Sequence, residues 1–552
     1  MTLRELTILQ FIDQVTDKPD WTTKVFSEEI TSKWKTELET SQIDMSEAMF
    51  NWSIAELRWR AKRFETSPTG AISVYSADVV KSDIAISRET KEALKRAVRL
   101  LEDVPANRKD WHPGSNEQVL DLVHPSLFPL AYRRSKVLPI GSNKTTLEDS
   151  IKRCGEGETV PAPTYLRSPN SRGRSQYNPW SNEYQWLPCE VDISGEKAKF
   201  TSFINNLHPT KHLELYGVIE EALTGVIPLW EKALAPWAGG KYPDWFHRIE
   251  YGECQYDPDP EYGPDTDGPQ RLPGESEGDH WKRRRRWYID TRRVVLPEPA
   301  CSFEESKLSN IEKRELNLKE LYGDRGIQVI VKLANIHLTP EKPEYPGGSW
   351  HVEGKLNEHI CATAIFYYSS ENIGKSTLAF RQQVDDEVVN EISYEQDHHD
   401  WLPAVFGLEN EGPGVQDIGS IETKEGRVIA FPNVLQHQVQ PFKLADQTKP
   451  GHRKILAFFL VDPTARIIST ANVPCQRLDW WREATIKEMS GAAGFNKLPL
   501  ELQDQVFGGV DGFPISLEDA MAMRLELMEE RKSFISAHTV AFTENEISLC
   551  EH

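Results

Sequence analysis

Several things are scarce in this 552-residue chain. It has seven cysteines, at positions 154, 189, 254, 301, 361, 475 and 550, an odd number with no Cys-x-x-Cys pair. That spacing excludes a zinc ribbon and a disulfide framework, and points to a reduced, intracellular setting, cytoplasmic or nuclear. No run approaches the ~18 uncharged apolar residues of a membrane span. The opening MTLRELTILQFIDQ alternates charged and apolar residues and lacks the apolar core of a secretory signal. Positive charge is short, with 64 Lys and Arg against 85 Asp and Glu, a formal net charge of -21. Such a surface repels phosphate backbones, so nucleic acid is not an expected partner. The basic run Lys282-Arg-Arg-Arg-Arg286, flanked by Trp281 and Trp287, reads as a solvated or internally paired strip. A nuclear-localisation signal or a nucleic-acid contact is the alternative reading of that run. Internal repeats are absent.

What is present is a globular balance, 39% apolar and 27% charged residues, on a chain long enough for a large core. Residues 1–110 read as a mostly helical region, with apolar residues at helical spacing after Ser46 and after Arg88. Residues 111–185 read as a loop-rich linker, and RSPNSRGRSQYNPWSNE within it carries turn-forming residues. A helix is expected at about 209–235, and residues 254–280 read as an irregular excursion. From residue 325 the period changes to β-branched alternation, in Ile327-Gln-Val-Ile-Val-Lys-Leu and then in segments opening at Ile360, Ser376, Arg427, His437 and Lys454. Short strands between Gly, Pro and Asn loops predict an antiparallel sandwich or barrel over residues 186–475. Residues 476–552 return to helix, with Ser516-Leu-Glu-Asp as a capping motif ahead of a helix running to about Phe534. The fold class is α+β.

The chemistry lies in the β-rich part. In PGGSWHVEG, residues 346–354, His351 and Glu353 are two apart on extended backbone and face one side. They offer one imidazole and one carboxylate to a single ion, and the flanking glycines permit a close approach. His437, which follows a strand and a turn, is the expected third ligand. Two His and one carboxylate on one face of an ion leave its other positions open, as non-haem Fe(II) requires. Arg453 opens the next strand, and a buried guanidinium there can hold a dicarboxylate by paired hydrogen bonds. Arg427 is the competing guanidinium. Trp350 and Tyr367 fall near the site, and Tyr367 counts among the co-substrate-binding residues; core packing accounts for both equally well. Asp397-His-His-Asp400 is a competing metal cluster, read as a solvated loop or lid. His208 and His212 stand four apart without the Glu of a His-Glu-x-x-His motif and read as helix-capping or substrate-loop residues.

The ordered set of strand, His-x-Glu, Gly-x-Val-Ile-x-Phe, His-x-Val-x-Pro and Arg resembles the double-stranded β-helix (jelly-roll) core of the Fe(II)/2-oxoglutarate dioxygenases over residues 347–462. Residues 362–368 and 373–380 resemble the paired strands of the prolyl hydroxylase branch. Glu353 stands where that family usually carries Asp. The resemblance implies Fe(II), 2-oxoglutarate and O2 as cofactors, His351, Glu353 and His437 as catalytic metal ligands, and hydroxylation or demethylation coupled to succinate release. Through WLPCEVDI, INNLHPTKH and PGGSWHVEG, nearly the whole chain also resembles large fungal proteins known only as a domain of unknown function. From that resemblance Asn205 and Asn206 are expected to contact substrate. Two alternatives stay open: a jelly-roll binding protein without catalysis, and a zinc hydrolase using the same His/Glu/His set. The substrate, a small molecule or a protein, and the oligomeric state are not legible.

Overall fold

The structure is a computed structural model that describes all residues except 76–78, 165–177, 239–245, 259–267, 304–315, 396–397, 490–498, 500, 503–504, 506, 508, 510–511 and 550–552. Its centre is the β-branched strand Ile327–Leu338, twelve residues long. Gly451–Val461 pairs along one edge, from Val329↔Leu460 to Leu338↔Gly451. Cys189–Asp192 and Val119–Val123 share the other edge. The nine-stranded antiparallel sheet runs in the order Ile72–Ser73, Val80–Ser82, Val428–Pro432, Ile360–Glu371, Gly451–Val461, Ile327–Leu338, Cys189–Asp192, Lys199–Phe200, with Val119–Val123 off this path.

The central strand is buried on both faces, so its alternation is between two cores rather than between core and solvent. Val329, Val331 and Leu333 enter a hydrophobic cluster with helix Leu213–Leu234. Trp230 of that helix is fully buried and meets Phe458 edge-on, with centroids 6.5 Å apart. Ile330 points the other way, with Ile365, Tyr367, Ile429, Phe431 and Phe459. Against that face lies a three-stranded antiparallel sheet in the order Val415–Glu422, Thr377–Gln383, Gln436–Val439. Leu378, Phe380, Ile418 and Ile421 are its contribution to the shared core.

Both ends of the chain close on this core. Helix Leu3–Thr16 sends Leu6 and Leu9 into the core between the sheets, and Ile8, Phe11, Ile12 and Val15 into a separate N-terminal helical cluster. Helix Leu517–Thr543 starts at a Ser516 cap, whose hydroxyl accepts from Asp519 N–H at 3.0 Å. Ala520, Met523 and Leu527 of that helix join the same core.

Several sequence expectations need adjustment. The mostly helical 1–110 region also carries Ile72–Ser73 and Val80–Ser82, which extend the large sheet. Val119–Val123, inside the expected linker, pairs with the central strand. Both segments become strands only through a partner far away in sequence. The C-terminal helix runs to Thr543 instead of Phe534. Within the 254–280 excursion, Tyr256–Asp257 pairs with Arg293–Val294, and residues 259–267 lie outside the described part, as does most of the RSPNSRGRSQYNPWSNE segment. Among the described residues no helix is long and apolar enough to cross a membrane, and the six described cysteines are free.

Candidate metal centre

His437 lies on Gln436–Val439, opposite Phe380. The free edge of that strand accepts one more rung. His351 N–H donates to the His437 carbonyl at 3.2 Å, and His437 N–H to the His351 carbonyl at 3.0 Å. Residues paired this way put their side chains on one side, and the two rings stand 4.3 Å apart. Glu353, two positions on, shares that side. Its Oε1 lies 3.7 Å from His351 Nε2 and 3.5 Å from His437 Nε2. The three donor atoms fall within 4.8 Å of one another. Donors bound to one ion at about 2.0–2.2 Å stand roughly 3–3.5 Å apart, so each histidine is within a few tenths of an ångström of that separation from Glu353.

The surroundings fix this geometry. His351 Nδ1 lies 2.8 Å from the Ser349 carbonyl, which holds the proton on Nδ1 and leaves the Nε2 lone pair facing Glu353. Gly347 adopts φ +90°, and a Cβ there would meet the Val439 carbonyl oxygen at 2.8 Å. The missing side chain lets Gly348 N–H bond that carbonyl at 2.9 Å. Asn433, which sequence reasoning did not single out, clamps Glu353. Its Oδ1 accepts from Glu353 N–H at 2.8 Å, and its Nδ2 donates to the Glu353 carbonyl at 2.9 Å and to Ile360 at 3.1 Å. The Pro432-Asn433 pair signals a turn in sequence, but not what the turn holds.

Burial favours the neutral carboxyl at Glu353, yet hydrogen bonds and charge from His351 and His437 outweigh it and hold the pKa well below the ordinary range. Burial also opposes protonation of His351, where the Glu353 contact prevails and raises the pKa. At His437 burial, and then repulsion from His351, push it down. An ionised carboxylate beside a neutral imidazole is a set ready to take a cation.

Arg453 points between the sheets and is 2% exposed. Its Nη1 donates to Ser376 Oγ at 2.5 Å and Thr423 Oγ1 at 3.2 Å. The guanidinium lies over the rings of Phe442 and Tyr367, at 4.4 and 5.5 Å. Its Nε is buried without a partner, and among the described residues no carboxylate pairs with it. Burial lowers its pKa. Tyr367 is 1% exposed, and burial pushes its hydroxyl up to about 12. Arg427, the rival, is committed elsewhere: it holds Asp83 at 2.7 and 3.0 Å and Asp17 at 2.5 Å.

The remaining residues read from sequence go to other tasks. Trp350 stacks with Arg381, at 4.7 Å, on the face opposite His351. Asn205 and Asn206 donate to the backbone carbonyls of residues 124, 127 and 128, bracing that turn. His208 Nδ1 faces the N–H groups of Thr210 and Lys211 at 3.3 Å, a turn-capping role. His212 precedes helix Leu213–Leu234 without a side-chain cap bond. Asp397 lies outside the described residues, while His398 is buried and stacks on Tyr256 at 4.5 Å. The basic run lies on helix Glu277–Thr291, where Arg283 pairs with Glu275 at 2.9 Å and Arg286 with Asp290 at 3.1 Å.

A second cluster, His112, Asp121 and His124, also brings three donor atoms within 4.8 Å. Its hydrogen bonds speak for a different role. Asp121 Oδ2 takes His112 Nδ1 at 2.8 Å and lies 3.8 Å from Arg524. His124 Nδ1 accepts from Ser126 N–H at 3.2 Å, which puts the His124 proton on Nε2 and makes that atom a donor.

No functionally curated protein matches this sequence. Solved structures with low similarity include iron- and 2-oxoglutarate-type oxygenases. The Fe(II)/α-ketoglutarate-dependent dioxygenase TqaL is 9% identical, with 82% of this chain and 95% of that chain covered and a TM-score of 0.26. A 2OG-Fe(II) oxygenase family oxidoreductase from Burkholderia pseudomallei is 9% identical, with 32% and 64% covered and a TM-score of 0.16. A Pseudomonas putida prolyl-4-hydroxylase is 11% identical, with 35% and 68% covered and a TM-score of 0.14. At the level of families, a profile described as a protein of unknown function (DUF4246) matches residues 47–484, and the N-terminal domain of the same description matches residues 1–37. The chain belongs to the DUF4246 family.

Proposed function

We propose that this protein is an Fe(II)- and 2-oxoglutarate-dependent oxygenase, a hydroxylase or demethylase, built on a double-stranded β-helix of the two facing antiparallel sheets. His351, Glu353 and His437 hold the iron, and Arg453, beside Tyr367, holds the far carboxylate of 2-oxoglutarate. One observation carries the reading: a His/Glu/His set converges on one side of the small sheet while a buried guanidinium, without an acid partner among the described residues, faces the same interior. An unpaired buried cation costs several kcal/mol unless an anion joins it. The hydroxyls of Ser376 and Thr423 orient Arg453 but supply no charge. The register adds support. Ser376 lies four residues before Phe380, the partner of His437, so roughly 13 Å of extended backbone separate the two polar ends. A five-carbon dicarboxylate, about 7 Å long, accounts for most of such a span once a metal bond of about 2 Å at one end and a hydrogen bond of about 3 Å at the other are added.

When bound, iron and 2-oxoglutarate supply oxygen activation, with succinate and carbon dioxide as co-products. The chain's own work is positional. Ser349 fixes the His351 tautomer, Asn433 aims Glu353, and the apolar neighbours of Arg453 strengthen its hold on a carboxylate. A zinc hydrolase could use the same three ligands, but it has no need of Arg453. The experiment is 2-oxoglutarate turnover by purified protein under air. Succinate should form with Fe(II) and not with Zn(II). Hydrolytic activity with Zn(II), indifferent to 2-oxoglutarate, would overturn the reading.

A further inference from the structure

We propose that Gln436 is a positioning residue for the metal ligand His437, held from the C-terminal helix through His538; this rests on the metal centre of the oxygenase reading above. His437 sits on a strand of four residues, Gln436–Val439. Its ladder with Thr377–Gln383 runs Leu378↔Val439, Ala379↔Gln438, Phe380↔His437 and Arg381↔Gln436, and ends there. The ligand is therefore one rung from the end of a ladder, where strands open locally unless something else ties them.

Side chains tie that end. Arg381 Nε donates to Gln436 Oε1 at 2.8 Å across the last rung. A guanidinium N–H can only donate, so the amide oxygen of Gln436 must face Arg381 and the amide nitrogen must face away. That nitrogen, Nε2, lies 3.0 Å from His538 Nδ1. It too can only donate, so His538 Nδ1 accepts and the ring proton sits on Nε2. The bonds thus run in one direction, from Arg381 through Gln436 to His538. Aromatic rings hold both ends. Arg381 lies over Trp350 at 4.7 Å and over Phe542 at 5.5 Å. His538 has the rings of Phe534 and Phe542 at 5.7 and 5.8 Å. Thr539, next along the helix, donates its hydroxyl to the Trp350 carbonyl at 3.4 Å. One stretch of helix Leu517–Thr543 therefore touches Trp350 and Gln436, the residues immediately before the two histidine ligands.

This arrangement is a poor way to fill space. Gln436 is fully buried, and Arg381 Nη2 is buried without a partner. Apolar side chains would pack between the helix and the strand without leaving a guanidinium N–H unsatisfied. They would not fix a direction, because apolar burial is non-directional and a hydrogen bond is not. Alternation along the strand puts Gln436 and His437 on opposite faces. The network thus acts on the metal ligand only through the backbone the two residues share.

The test is Co(II) titration of the full-length protein, followed by calorimetry and by the visible absorption of the bound ion. Gln436→Met keeps the side-chain length and loses both bonds. It should lower Co(II) affinity about tenfold or more and alter the absorption. His538→Leu should move both readouts the same way. His538→Asn, whose Oδ1 can take the Gln436 N–H, should recover most of the loss. Arg524→Ala loosens the same helix away from these residues and should bind Co(II) as the wild type does. Wild-type affinity and absorption in Gln436→Met and His538→Leu would overturn the proposal. So would His538→Asn no better than His538→Leu, or an equal loss in Arg524→Ala, which would make the effect one of stability alone. Should Gln436→Met fail to fold, the two His538 variants decide by themselves. Absence of Co(II) binding by wild-type protein would instead remove the metal centre itself, and the proposal with it.

Discussion

Glu353 shows how far single residues could be read. Its place two positions after His351 was legible, because strand periodicity alone puts both on one side. Its orientation was not, because Asn433 arrives from a turn eighty positions later. Asn433→Ala should leave the fold intact and lower metal affinity about 10–100-fold, the usual loss when a supporting hydrogen bond is removed; Co(II) titration followed by calorimetry checks this. The choice between Arg427 and Arg453 could not be made from sequence either. Asp17 and Asp83, which engage Arg427, lie over 340 positions away from it. Arg453→Met should raise the 2-oxoglutarate requirement roughly 30-fold, equivalent to about 2 kcal/mol for a truncated buried charge contact. His124 supplies a pH prediction. Burial lowers its pKa from 6.5 to about 3, against the pull of Asp121. The unfolded chain thus takes up a proton that the folded chain refuses. Stability from this group is intact above pH 6.5 and declines as the pH falls toward about 3. Urea midpoints measured across that window should fall more steeply for wild type than for His124→Gln.

At the scale of elements, legibility followed length and autonomy. Helix Leu213–Leu234 lies where its apolar spacing put it, within a few residues at each end. Ile327–Leu338 and Gly451–Val461 were legible as β-branched runs, but their pairing and two-sided burial were not. Ile72–Ser73, Val80–Ser82 and Val119–Val123 escaped notice because so few residues carry no readable period, and the sheet edge makes them strands. The packing of helix on sheet predicts a large cost at Trp230. Trp230→Ala should destabilise the fold by about 3–5 kcal/mol, through lost burial and the cavity left against Phe458, as read from denaturant midpoints. Arg524→Ala, which strands Asp110 and loosens the C-terminal helix, should cost about 1–3 kcal/mol.

The whole molecule draws on both ends of the chain to complete one core. Leu6 and Leu9 from the first helix and Met523 and Leu527 from the last meet residues of both sheets in a single cluster. A chain ending before Ser516 should therefore expose apolar surface and bind a hydrophobic dye in the native state, where the full chain does not. The sequence carries a net charge of -21, yet the interior keeps the Arg453 guanidinium without an acid partner among the described residues. That a buried cation goes unpaired in so acidic a chain could not be read from composition. It depends on which of the 64 basic residues the sheets turn inward. The central claim is that three side chains make one iron site, and metal stoichiometry after anaerobic loading with Fe(II) and desalting tests it most directly. Wild-type protein should retain one iron per chain and His351→Ala essentially none. Equal iron content in the two proteins would contradict the account.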